Sequence, residues 1–138
     1  MSNFDKFMEK HGNKLYAKAK NNTKYNAQGY AVISKNDEWI EETEWDEMYN
    51  SITKKEVVIH SRDDEYLVVK ITTHKPRNSD KFDVELDKWQ AASLKFPSTA
   101  RVSKLRTLPE KNFINKIGVI HDSDWVLVTE KVEESLNE

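Results

Sequence analysis

From Lys55 onward helical spacing gives way to short β-branched runs and one strictly alternating stretch, a change to a period of two that restricts the middle of the chain to β structure. Glu56 to His60 and Tyr66 to Thr73 are runs rich in β-branched residues, separated by Arg62-Asp63-Asp64. Side chains alternate across a strand and Asp favours turns, so the two runs predict a β-hairpin. Phe82-Asp83-Val84-Glu85-Leu86 alternates strictly, with Phe82, Val84 and Leu86 inward, and reads as the third strand of a meander beyond a turn at 76–80. Pro97-Ser98 opens a further short strand over 99–102, followed by Leu105-Arg106-Thr107-Leu108 and Pro109. Asn112 to Ile117 reads as one helical turn before Gly118.

The period is different at the two ends. Phe4, Phe7, Met8, His11 and Leu15 recur at helical spacing, predicting a helix over 3–19 capped by Ser2. Trp125, Val128, Val132 and Leu136 follow a 3-4-4 stripe, predicting a last helix capped by Asp122 or Ser123. Between the first helix and the hairpin lie a polar connection, a short strand Tyr30–Ser34 after Gly29, and an acidic segment, Asp37 to Asn50. That segment carries Trp39, Ile40, Trp45, Met48 and Tyr49 and reads as an amphipathic helix against the core; a partner-binding or nucleic-acid-mimicking role is the alternative. Strands closed by a terminal helix predict an α+β domain built on a small antiparallel barrel. The expectation is one domain over 1–138: a helix and connection over 1–28, and a barrel over 29–136 with an acidic Trp-containing insertion at 36–52.

Composition narrows the chemistry. The absence of cysteine removes disulfides, thiolate metal sites and a cysteine nucleophile, and four scattered His point to no metal site. A net charge of -2 offers no global attraction to phosphate, so nucleic-acid binding would need a local basic cluster. The longest apolar stretches, such as Val57 to Ile59 and Trp125 to Val128, are far too short to cross a bilayer, so a cytoplasmic protein with no membrane contact is expected.

One stretch carries a more specific signal. Pro97-Ser98-Thr99-Ala100-Arg101-Val102, then Leu105-Arg106-Thr107-Leu108, then Lys116-Ile117-Gly118 and a closing helix resemble the MazF/PemK toxin pattern. Upstream, Ile71-Thr72-Thr73-His74, a Pro-containing turn and Phe82 to Leu86 are similar to the same family in order and spacing; the resemblance spans about 55–136. It implies an SH3-like barrel, a homodimer that cleaves single-stranded mRNA without a metal or other cofactor, and a cognate antitoxin protein as partner. The departure is local. Family members carry an Arg-Pro before the second strand, where this chain has Thr53-Lys54-Lys55-Glu56.

The resemblance implies that Thr72 or Thr73 contacts the scissile phosphate, and only one of the two can face it. Lys54 or Lys55 takes the place of the arginine as a point charge without its planar fork. His60 and His74 are candidates for acid–base work, against the plainer reading of strand-end histidines. Lys70, Lys75, Arg77 and Lys81 surround the same turn and would bind an RNA backbone if they are not simply a solvated basic turn. The candidate catalytic set is Thr72, Thr73, Lys55 and His74, and the RNA-binding set Lys54, Lys70, Lys75, Arg77 and Lys81. Arg101, Lys104 and Arg106 read chiefly as packing and pairing residues, and Trp89 as a cap over the barrel. Two functions stay open: the endoribonuclease toxin, and a binding module on the same fold that has lost catalysis. Between them stands an enzyme covered by its own acidic 37–50 segment.

Overall fold

The computed structural model describes residues 3–21, 30–35 and 55–137. The acidic tryptophan-containing segment, Lys54 and the proposed Ser2 cap lie outside the described residues. Helix α1 (Asn3–Asn21) carries Asp5 in its first turn and Lys18 and Lys20 in its last, charges that oppose the helix dipole at both ends. It buries Phe4, Met8, Leu15, Tyr16 and Ala19. Strand β1 (Tyr30–Ser34) precedes the hairpin of β2 (Lys55–Arg62) and β3 (Glu65–Thr72). Arg62 pairs with Glu65, leaving Asp63-Asp64 as the turn, and Asp63 takes the left-handed conformation (φ 52°) that Asp tolerates. Strand β4 (Asp83–Leu86), β5 (Ser98–Pro109), a 3-10 turn (Glu110–Asn112), β6 (Phe113–Val119) and helix α2 (Asp122–Ser135) complete the described elements.

The strands form one six-stranded sheet in the order β4-β5-β3-β2-β1-β6. This corrects three expectations. β4 does not continue a meander beside β3, because β5 pairs with both and separates them. β5 is one twelve-residue strand, not two short ones, with an irregularity between the Lys70–Arg101 and Val68–Arg106 pairs. Ten residues link β3 to β4, enough for the chain to step over the place that the longer, more apolar β5 takes. Phe113–Val119 is strand, not helix, because the open edge of β1 offers backbone partners that a single helical turn could not match.

The expected closed antiparallel barrel is also not what forms. β1 runs parallel to both β2 and β6, and β4 and β6 are not paired among the described residues, so the sheet is mixed and open. The fold is α+β. Among the described residues no helix is long and apolar enough to cross a membrane.

Helices α1 and α2 cover one face. The Phe4 and Trp125 rings meet edge to face, 5.8 Å apart, near the N-terminal ends, and Lys18 Nζ donates to the Ser135 carbonyl near the C-terminal ends. The two helices therefore run in the same sense. Beneath them Val57, Ile59, Leu67, Val69, Ile71, Val84, Leu86, Ala100, Val102 and Leu105 form the main core, with Val128 and Val132 from α2. A smaller cluster, Val32, Val58, Tyr66, Val68 and Leu108, lies on the opposite side of the strands.

The α2 cap is His121, one residue earlier than expected: its Nδ1 accepts the Ser123 N–H at 3.1 Å. Asp124, buried in the first turn, instead accepts the N–H groups of Asp87 (3.1 Å) and Lys88 (2.9 Å), tying α2 to the β4–β5 loop. That loop runs against β6 so closely that a Cβ on Gly118 would sit 2.1 Å from the Ala92 carbonyl oxygen. The glycine of the Ile-Gly motif is thus explained by close approach of two backbones.

Candidate functional site

The period of two in β3 sorts its residues onto two faces: Leu67, Val69 and Ile71 enter the main core, while Lys70 and Thr72 stand on the other face. Strand pairing then selects their neighbours. Thr72 lies opposite Thr99 and Lys70 opposite Arg101 on β5; Arg101 in turn faces Asp83, and Thr99 faces Glu85, on β4. Glu56 of β2 faces Lys70 from the other side. Directly opposed side chains sit about 5 Å apart and diagonal ones about 7–8 Å, so Thr72 and the long Arg101 side chain share one small patch.

The arm between β3 and β4 borders this patch and is held by carboxylates. Arg77 donates from its backbone N–H (3.0 Å) and Nε (3.2 Å) to Asp83, and from Nη2 (2.7 Å) to Asp80. Asp80 also accepts the Phe82 N–H (2.9 Å) and the Ser103 hydroxyl (2.7 Å). Burial pushes the Asp80 carboxyl up, but the Ser103 hydroxyl, the Phe82 N–H and the charges of Arg77 and Arg101 outweigh it and hold it below its ordinary value. Asp80 is therefore an anchor in its ionised form and a poor proton acceptor. Arg101 is placed differently. Its Nε is buried without a hydrogen-bond partner, and among the described residues no carboxylate lies within ion-pair distance of its guanidinium.

The structure distributes the other candidates unevenly. The Thr72 Oγ1 accepts the His74 N–H at 3.3 Å, which closes the strand end and leaves the hydroxyl proton available to donate. Thr73, His74 and Lys75 follow β3, exposed on the arm. Lys55 opens β2 opposite Ile71, whose side chain lies in the main core, so alternation turns Lys55 to the face opposite Thr72; burial also lowers its ammonium pKa. Lys81 stands over the Phe82 ring at 5.2 Å. Arg106 forms an ion pair with the buried Glu56, Lys104 is exposed, and Trp89 packs, half-buried, against the main core.

His60 and His74 are not brought together. His60 pairs with Leu67, seven residues before His74, a separation of roughly 20 Å along an extended chain. His60 bonds instead to the Tyr16 hydroxyl (2.8 Å), and burial lowers its pKa. It lines a cavity of about 290 Å³ with Phe4, Asp5, Lys35 and Trp125, near the end of the sheet away from Thr72.

The residue that sequence reading undervalued is Arg101. Its signal was present: Thr99, Arg101 and Ser103 alternate along a strand and share a face. Which cation-bearing neighbour they meet depends on β5 lying against β3. Among the described residues no three His, Asp or Glu side chains cluster as a metal ion would require.

Comparison with known proteins bears on this same segment. No curated protein matches the chain. A family model, PemK-like, MazF-like toxin of type II toxin-antitoxin system, matches residues 53–136, more than half of the chain. The match starts just before β2 and ends after α2, taking in every residue of the polar patch and leaving out α1 and β1. The chain therefore belongs to the PemK-like, MazF-like toxin family of type II toxin-antitoxin systems.

Proposed function

We propose that this toxin is an endoribonuclease that cleaves single-stranded mRNA without a metal, acts as a homodimer in the cytoplasm, and is neutralised by a cognate antitoxin. The observation that carries the reading is the placement of Arg101 and Lys70 beside Thr72 on one face, with no carboxylate within ion-pair distance of Arg101 among the described residues. In the proposed reaction a ribose 2′-oxygen attacks the adjacent phosphorus and the 5′-oxygen leaves. The products are a 2′,3′-cyclic phosphate and a 5′-hydroxyl. Charge then builds on the non-bridging oxygens, and preorganised donors aimed there lower the barrier. Thr72 donates its hydroxyl proton to one such oxygen, and Arg101 offers the planar fork that Lys cannot. Lys70 adds a second positive charge. His74, anchored beside Thr72 through its backbone N–H, takes the 2′-hydroxyl proton as the bond to phosphorus forms and returns a proton to the leaving 5′-oxygen. Lys75 on the exposed arm extends the positive surface toward the flanking nucleotides.

Lys55 supports a second reading. Of the two lysines that stand where the family has Arg-Pro, Lys55 faces away from Thr72, which is what a toxin-fold binding module without catalysis would tolerate. Incubating the purified protein with a long unstructured RNA in EDTA separates the two. Discrete new ends that disappear in Thr72→Ala establish the nuclease; intact RNA beside a cooperatively folded protein establishes the binding module.

A further inference from the structure

Helix α1 lies outside the matched segment and outside the Thr72 patch, yet it carries a net positive charge in an acidic chain. It holds Lys6, Lys10, Lys14, Lys18 and Lys20 against Asp5 and Glu9, a net of +3, so the rest of the chain carries -5 of the total of -2. Two of these lysines are used internally: Lys18 donates to the Ser135 carbonyl and Lys20 pairs with Glu65 at 3.4 Å. Lys6, Lys10 and Lys14 are not. They recur every fourth residue along the spine opposite the buried Met8, Leu15 and Ala19, all three are exposed, and none has a carboxylate within ion-pair distance among the described residues. Like charges at this spacing repel and weaken a helix, so packing gives no reason for the row. Arg62 donates to the Asn13 side chain at 2.8 Å beside the row, but its charge is paired with Glu65 at 3.6 Å and adds nothing to it.

We propose that Lys6, Lys10 and Lys14 form a rail that binds the phosphate backbone of single-stranded RNA, a second contact separate from the Thr72 patch. This rests on the reading that RNA is the substrate. The row is about 12 Å long at 1.5 Å per residue, with its lysines about 6 Å apart, a spacing at which each can meet one of the successive phosphates of an extended strand. An acidic protein surface fits less well. A stable protein interface needs an apolar centre, and the lysines are flanked on this spine by Asn3, Asn13 and Ala17, with no exposed large apolar side chain on the helix.

The test uses the full chain and a single-stranded 2′-deoxy oligonucleotide, which keeps the phosphates but lacks the attacking 2′-hydroxyl. Fluorescence anisotropy gives Kd across 50–200 mM salt for the wild type, for Lys6→Gln/Lys10→Gln/Lys14→Gln and for Thr72→Ala. Each phosphate contact on a single strand contributes about 0.7 to the slope of log K against log salt. The triple variant is expected to lose about 2 from that slope and to bind at least about tenfold more weakly at 50 mM, with its melting temperature unchanged or raised. Thr72→Ala removes an uncharged donor to a phosphate, so it should weaken binding without changing the slope. An unchanged Kd and slope in a folded triple variant overturns the rail, as does lysine-dependent binding of polyglutamate without lysine-dependent binding of the oligonucleotide. Cleavage without lysine-dependent binding would sink the rail alone. Lysine-dependent binding without cleavage would sink the nuclease reading alone.

Discussion

Thr72 and Arg101, 29 residues apart in the chain, stand one diagonal apart on the same face of the sheet, because Thr72 pairs with Thr99 and Lys70 with Arg101. The Thr72 hydroxyl keeps a proton to donate, and the Arg101 guanidinium has no carboxylate within ion-pair distance among the described residues, although its charge still acts on Asp80.

In the proposed nuclease, Thr72→Ala and Arg101→Ala each lower the cleavage rate by about 10²–10³, the effect of losing one donor to a developing oxyanion. Arg101→Lys recovers part of the activity as a point charge, and Lys55→Ala changes it little, since Lys55 faces away. Single-turnover cleavage in EDTA, with circular dichroism to confirm folding, reads all four variants. A Lys55→Ala loss as large as that of Arg101→Ala would contradict the assignment.

The two glycines whose surroundings are known should respond in opposite directions. Gly118→Ala forces a Cβ into the Ala92 carbonyl, where backbone on both sides has to move, and should cost at least about 2 kcal/mol. Gly12→Ala places its Cβ 3.5 Å from the end of the flexible Met8 side chain and should stabilise α1 by about 0.5–1 kcal/mol. Urea denaturation of the two variants, compared at equal m-value, checks the signs.

Asp124→Ala removes a buried carboxylate that accepts two backbone N–H groups and leaves both without it. Charge-assisted bonds of this kind support a loss of about 3 kcal/mol, which corresponds to a melting temperature lower by roughly 10 °C. Hydrogen exchange should show the Asp87 and Lys88 amides losing protection before the β3–β5 ladder does.

Protonation of His60 should destabilise the protein. Burial, opposed by Asp5 and assisted by Arg62, lowers its pKa below the usual 6.5, so the unfolded chain binds this proton more readily than the folded one. The stability it contributes is complete above about pH 6.5 and is lost as pH falls through the lower, folded-state value. His60→Gln should flatten that part of the curve of melting temperature between pH 8 and pH 5. Parallel curves for wild type and variant would show that His60 has no such linkage.

How much of this was legible in advance follows from how local each feature is. The hairpin could be read because the β-branched runs Glu56 to His60 and Tyr66 to Thr72, and the left-handed tolerance of Asp63, involve neighbours in the chain. The same is true of the helical stripe from Trp125 to Leu136. The toxin motifs were also local, and they coincide with the matched segment 53–136. Within the candidate patch, alternation showed that only one of Thr72 and Thr73 could face a phosphate, but it left both open.

Sequence by itself therefore determined the strands and helices with a strong period, the family, and a short list of cations and hydroxyls. Tertiary structure alone decided that β5 inserts between β3 and β4, that Phe113–Val119 becomes strand against β1, and that Arg101 instead of Lys55 shares a face with Thr72. The physical reason is that a strand's period fixes which side chains share a face, whereas the identity of its neighbour depends on which distant backbone satisfies its hydrogen bonds while burying that face, a choice spread over the whole chain.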